Sequence, residues 1–136
     1  MKYVKFYELK IFTAEDVICE EEPFYKAVFK EAQRLGLGGG TMIRAAAGYG
    51  SQKRGADGRA VPIFFSGSYN LPLIIEIVDT KERLKLMNPF LEKYGHLHFM
   101  ALIVPLMVLR TKYVVDGSAR LGRPPLPLLD DPEDCM

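Results

Sequence analysis

The sequence predicts an α+β domain in which the elements follow one another in the order β-α-β-β-α-β. Two observations indicate this order: four segments are rich in strand-forming apolar residues, and two segments between them repeat apolar residues at helical spacing. A third observation is length, because a chain of 136 residues buries about 65–70% of its unfolded surface and can build one core. We expect one folded domain over residues 1–112 and a proline-rich extension over residues 113–136.

The first strand is predicted over residues 5–12, where Tyr7, Leu9 and Ile11 share one side. The next helix is expected to begin with the acids at 20–22 and Pro23, because acids favour the positive end of a helix dipole and the first turn tolerates proline. Gly36 is expected to end this helix. The apolar residues at helical spacing form its buried stripe: Phe24, Ala27, Val28, Ala32 and Leu35.

Three further strands are predicted, over residues 41–47, 71–78 and 97–109. Before the last of them, Asp79 is expected to cap a helix, with Glu82 completing a capping box. Pro89 is expected to kink or split this helix, because its ring cannot continue the hydrogen-bond ladder. The buried stripe of this segment is Leu84, Met87, Leu91 and Tyr94.

The predicted order is that of the ferredoxin-like fold, a four-stranded antiparallel sheet with both helices on one face. The third and fourth strands are apolar on both sides, a pattern typical of strands that are covered on both faces. We therefore expect a closed symmetric oligomer whose sheets face inward. The alternative is that the C-terminal segment folds back over its own sheet.

The composition excludes several classes of function. Eighteen Lys and Arg against 17 Asp and Glu give a net charge of +1, so we expect no nucleic-acid partner. The longest apolar run, 97–109, is too short for a spanning helix, and we expect no membrane insertion. Cys19 and Cys135 lack a redox or zinc spacing, which favours a cytoplasmic protein. No nucleophile accompanies the two histidines in a recognisable set, so we expect no enzymatic activity.

The glycine-rich stretch 48–59 lies between two hydrophobic strands. Gly48, Tyr49 and Gly50 allow a close backbone approach to a ligand, although a turn that needs flexible residues is the alternative. Long loops of this kind are usually functional or disordered. The polar residues that follow are candidates for contact with phosphates or an acidic partner, or form a solvated surface: Ser51, Gln52, Lys53, Arg54 and Arg59.

Arg44 and Glu76 are single charges in apolar strands, and we expect them to pair or to contact a ligand between subunits. The glycines at 36–40 follow a helix, so helix termination is favoured there over a phosphate loop. His96 and His98 have a spacing that places both on one face of a strand, where a surface role is favoured over a metal site.

Four stretches together resemble the PII-like family of small uncharacterised bacterial and archaeal proteins, distant relatives of the PII nitrogen regulators. They are KIFTAEDV, PFYKAVFKEAQRLGLGGGT, AAAGYGSQ and LPLIIEIVD, and the resemblance extends over residues 9–110. It implies a homotrimer of ferredoxin-like subunits that needs no cofactor. It also implies a T-loop over about 49–69 that contacts a target protein.

The resemblance further implies a small effector, usually an adenine nucleotide, in the clefts between neighbouring subunits. Thr41 is the counterpart, one residue out of register, of the threonine that helps to seat the base. The junction from Lys93 to His98 has one glycine where PII proteins have a phosphate-holding loop, so AMP or ADP is favoured over ATP. The expected function is a trimeric signalling protein, and the alternative is a trimeric scaffold that binds a partner through its loop or tail without an effector.

Overall fold

A computed structural model describes residues 2–46 and 72–115 and the backbone of residues 128–129. The elements in chain order are β1 (Tyr3–Ala14), β2 (Ile18–Cys19), β3 (Glu22–Pro23), α1 (Phe24–Arg34), β4 (Gly40–Arg44), β5 (Pro72–Asp79), α2 (Lys81–Leu84), a 3-10 turn (Lys85–Met87), α3 (Asn88–Lys93), β6 (Met100–Leu109) and β7 (Leu128–Leu129). The predicted α+β class is confirmed.

Four strands form an antiparallel sheet in the order β4-β5-β1-β6. This is the strand order of the ferredoxin-like arrangement, in which the first of the four strands, β1, lies between the third, β5, and the last, β6. The short β7 adds to the beginning of β1, where Leu128 lies opposite Val4. Residues of the proline-rich extension therefore return to the sheet.

The side of the sheet that faces the helices carries the core. Leu9 and Ile11 of β1 and Ile75 and Ile77 of β5 are almost completely buried there, against the predicted stripes of both helical segments. The stripe of α1 is confirmed, since Phe24, Ala27, Val28 and Ala32 are buried and Leu35 packs against them. That of the second segment is also confirmed: Leu84 and Met87 are buried, while Leu91 and Tyr94 pack at the edge of the core.

The opposite side of the sheet is called here the open face. Its central residues alternate with the core residues along each strand and are half-buried or exposed: Glu8, Lys10 and Phe12 of β1, Thr41 and Ile43 of β4, Ile74, Glu76 and Val78 of β5, and Met100, Leu102 and Val104 of β6. Near β7, Val4 and Phe6 on the same side are buried. The prediction that β5 and β6 are apolar on both sides is confirmed.

The predicted beginning of the first helix is wrong. Residues 18–19 and 22–23 pair as a short hairpin, with Glu20 at a φ of 59° between the two strands. Pro23 is therefore the N-cap of α1 rather than a first-turn residue, and the first turn contains no acid. Glu20 and Glu21 form the turn of this hairpin, and Glu22 lies opposite the buried Cys19.

The predicted cap of the second helix is also wrong, by one residue. Thr80 is the N-cap, and its hydroxyl accepts a hydrogen bond from the Arg83 amide at 3.4 Å. Asp79 instead ends β5, and its carboxylate accepts from the Thr80 and Gly38 amides at 2.7 and 2.9 Å. The split at Pro89 is confirmed, because this proline lies in the first turn of α3 and separates it from α2 and the 3-10 turn.

The ends of two strands differ from prediction. β4 ends at Arg44 rather than at residue 47, and β6 begins at Met100 rather than at Leu97. Residues 96–98 form a turn instead, so His96 and His98 do not share a face of a strand, and that prediction is wrong.

Candidate functional site

One end of the sheet collects the residues that border the long segment between β4 and β5. β1 and β4 end here, at Ala14 and Arg44, and β5 and β6 begin here, at Pro72 and Met100. We call this the loop end. The Ala45 amide donates to the Pro72 carbonyl at 3.0 Å, which closes the base of the segment by extending the ladder one step beyond β4. Ala45 and Pro72, which flank the 26-residue connection 46–71, therefore lie side by side.

Arg44 is the principal cationic group described at the loop end. Its Nε atom lies 2.8 Å from Oε1 of Glu15, and the two side chains are 53% and 25% exposed. The pair joins the end of β4 to the turn after β1. Because it is partly exposed, it contributes little to stability, but it holds the guanidinium at a defined place on the surface.

The predicted pairing of Arg44 with Glu76 is wrong. Arg44 lies opposite Leu73, whereas Glu76 lies opposite Thr41, three residues away in each strand. An odd separation places two residues on opposite faces of a strand. Arg44 is therefore on the side of the helices, and Glu76 and Thr41 are together on the open face.

Thr13 lies beside this site in the core. Its buried hydroxyl donates to the His98 carbonyl at 3.1 Å and ties the turn before β6 to the end of β1. His96 and His98 themselves are exposed. Within the described ranges, no group of three or more His, Cys, Asp or Glu side chains is arranged to hold a metal ion.

The other predicted site residues lie outside the described residues. These are Gly48, Tyr49 and Gly50, and the loop residues Ser51, Gln52, Lys53, Arg54 and Arg59. Their predicted contacts with a ligand and with a partner stay predictions. The same holds for ligand contacts of Thr41, Arg44 and Glu76.

Glu15 is the residue that sequence reasoning missed. It follows the alternating strand directly and has no motif of its own, so only the antiparallel arrangement of β1, β5 and β4 brings it to Arg44. The one available signal was its position at the end of a central strand, next to the end of another.

Away from the loop end, one surface cluster joins the β2–β3 hairpin to α3. The Tyr94 hydroxyl donates to Oε1 of Glu20 at 2.9 Å. This hydrogen bond raises the pKa of the Tyr94 phenol, because ionisation would break it and leave two anions together. None of the described helices has the length and apolar character needed to cross a membrane.

Comparison with known proteins identifies a matching family and two relatives. Residues 6–104 match the family model DUF190, described as "Uncharacterized ACR, COG1993". The chain is similar to a "UPF0166 protein" of Aquifex aeolicus (strain VF5), with 42% identity over 85 residues that cover 62% of this chain and 77% of the relative. It is also similar to "UPF0166 protein MJ1524" of Methanocaldococcus jannaschii, with 37% identity over 81 residues that cover 60% and 70% of the two chains.

The fold is similar to that of a solved structure, a "putative PII-like signaling protein" from Thermus thermophilus. The TM-score is 0.54 at 20% sequence identity, and the match covers 81% of this chain and 95% of that one. At this identity the likeness concerns the fold alone. The likeness to this structure shows a PII-like fold. The matches to the family model and to the two relatives show that the chain belongs to the DUF190/UPF0166 family.

Proposed function

We propose that this protein is a trimeric PII-like regulator that binds an adenine nucleotide at the loop end and signals through residues 49–69. The observation that carries the proposal is the arrangement at the base of the long segment. Ala45 and Pro72, which flank the segment, and the partly exposed Arg44 lie at one end of a PII-like sheet. A ligand held there would contact the base of the segment directly and could favour one arrangement of it over another.

Arg44 supplies the chemistry for a phosphate. A guanidinium presents several N–H donors in one plane and binds phosphate oxygens through two of them at once. Glu15 holds Arg44 through Nε, so other donors of the same group are available to a ligand without loss of that contact. Gly48, Tyr49 and Gly50 would complete the site from the following segment.

AMP or ADP is the proposed effector rather than ATP. The turn after α3 contains Gly95 as its one glycine, and the amide of that glycine donates to the Glu92 carbonyl at 3.2 Å. This amide is therefore engaged in ending the helix. A triphosphate needs several free backbone amides along its length, whereas a shorter phosphate chain needs fewer.

The proposed trimer would cover the open face. That face carries apolar residues around its charged centre, such as Ile74 and Met100 on either side of Phe12, and Val78 and Val104 on either side of Glu8. Apolar area of this kind favours association between copies. Clefts between neighbouring copies would then lie next to the loop end.

Thermal unfolding with AMP, ADP, ATP and cyclic dinucleotides tests the nucleotide. A ligand at one hundred times its dissociation constant adds about 2.7 kcal/mol to the stability of the folded state. We expect AMP or ADP to raise the melting temperature and Arg44→Met to abolish that rise. Arg34→Met is the matched control, since Arg34 also pairs with a glutamate, Glu31, but lies on the exposed side of α1.

Two outcomes would contradict this proposal. If no nucleotide raises the melting temperature at concentrations near those in cells, the effector is not a nucleotide. If a partner is then still captured by the full chain but not by a chain lacking residues 49–69, the protein acts as a scaffold without an effector.

A further inference from the structure

Three charged side chains lie in the middle of the open face, among apolar neighbours. Glu76 is directly opposite Lys10, and Glu8 is two residues before Lys10 on the same side of β1. The neighbouring rows across the sheet are apolar: Ile43, Ile74, Phe12 and Met100 on one side, and Val78 and Val104 flanking Glu8 on the other.

Two of these three side chains, Lys10 and Glu8, form an ion pair with each other. Lys10 Nζ lies 3.4 Å from Oε1 of Glu8, and the two side chains are 31% and 13% exposed. The carboxylate of the half-buried Glu76 makes no ion pair or hydrogen bond with any residue in the ranges 2–46 and 72–115. A carboxylate that becomes covered by apolar surface needs a cation, because burial of an unpaired charge is costly.

We propose that a second copy of this chain covers the open face and that its Lys10 binds Glu76 across the interface. This contact rests on the proposed trimer, and it would fix how the sheets of neighbouring copies are positioned against each other. An ammonium has three N–H donors, so Lys10 can keep Glu8 and also bind a carboxylate of a neighbour. In a cyclic assembly each copy gives one such lysine and receives one, so every Glu76 is paired.

The occupant is a copy of the chain because the face is complementary to itself. It offers apolar rows to cover apolar rows, one cation with free donors, and one carboxylate without a partner among the described residues. A partner of uniform charge would leave either Lys10 or Glu76 unmatched. Charged groups in an otherwise apolar interface also select one register over others, since a shifted copy would place like charges together.

Mixing of charge-reversed chains tests the pairing. Glu76→Lys and Lys10→Glu are purified separately, and their masses in solution are measured by light scattering and native mass spectrometry alongside the wild type. We expect each variant alone to associate at least tenfold more weakly, which is the order of effect when a covered charge loses its partner. A mixture of the two should form mixed assemblies, because two of the three contacts in a mixed trimer are then attractive.

Matched controls carry the same charge changes on the helix side of the molecule. Lys26→Glu on α1 and Glu92→Lys on α3 replace exposed residues and should assemble like the wild type. If a charge-reversed chain does not fold, Glu76→Gln and Lys10→Gln replace it. Each should weaken association severalfold, and the double variant should be no weaker than either single one.

Failure of this inference is distinguishable from failure of the proposed function. A wild type that is monomeric at all concentrations overturns the trimer and the pairing together. A trimeric wild type whose charge-reversed variants remain trimeric overturns the pairing alone. Weakened variants that do not rescue one another on mixing show that Lys10 and Glu76 interact within one chain, which also overturns it.

Discussion

Gly36 shows how one residue determines a helix end. Its φ is 71°, in the region that favours glycine, and its amide donates to the Gln33 carbonyl while the Leu37 amide donates to Ala32. These two bonds form a Schellman motif, and the buried Leu37 adds the usual apolar contact. Arg83 completes the end of α1 by donating to the Leu35 and Gly36 carbonyls.

Gly36→Ala is expected to lower the free energy of unfolding by about 1–2 kcal/mol, since a Cβ is strained at positive φ. The new Cβ would also lie 3.3 Å from Nη2 of Arg83. Urea unfolding measures the change. Gly39→Ala is the control, because a Cβ at Gly39 meets nothing within 4 Å, and an equal loss in both variants would contradict the backbone explanation.

Tyr94 makes a pH-dependent contribution to stability. Its hydrogen bond to Glu20 raises the pKa of the phenol in the folded chain above the usual 10.0. The contribution is therefore fully present below pH 10 and is lost as the pH rises through the raised folded value. We expect wild type and Tyr94→Phe to differ by a constant free energy of unfolding from about pH 7 to 9, and by less above pH 10.

Urea unfolding across this pH range tests the prediction. Tyr113→Phe, at a side chain that is 79% exposed, is the control for loss of a hydroxyl. A difference between wild type and Tyr94→Phe that stays constant to the highest pH would show that ionisation of Tyr94 is not linked to folding.

At the scale of elements, the second helical segment is three short pieces rather than one helix. Pro89 lies in the first turn of α3, and the 3-10 turn connects α3 to α2. Helices this short are unstable alone, so their stability must come from packing. Leu84 and Met87, which are almost completely buried, attach them to the sheet.

Leu84→Ala is accordingly expected to cost about 2–5 kcal/mol, the usual range for removal of a buried leucine side chain. Leu86→Ala, two residues away and 46% exposed, should cost less than about 1 kcal/mol. Chemical denaturation of both variants gives the comparison. Similar losses would mean that this segment is not held by its buried stripe.

At the scale of the whole molecule, the sheet is apolar on both sides but has helices on one. Ile43 on the open face and Ile103 on the helix side are matched probes, 44% and 47% exposed. We expect Ile43→Asp to dissociate the proposed trimer, because a charge would be covered in the interface without a partner, and Ile103→Asp to leave it assembled. Light scattering distinguishes these results, and equal assembly of both variants would contradict association through the open face.

Much of the fold could be predicted because its signals are local. The buried stripes, the stop at Gly36 and the split at Pro89 depend on residues within a few positions of one another, and all are confirmed. The beginning of α1 was not predictable in this way. The acids before Pro23 lie instead in a hairpin, whose Cys19 belongs to a core built from residues that are distant in the chain.

The site was less predictable than the fold. The sequence by itself determined that Arg44 and Glu76 are charges in apolar strands, and that a long polar segment lies between these strands. Only the tertiary structure decided which residues lie next to Arg44 and Glu76, because the register of β4 against β5 places the two on opposite faces of the sheet. It brought Glu15 to Arg44 and left Glu76 among apolar residues on the open face, since strand pairing joins positions that are remote in the chain.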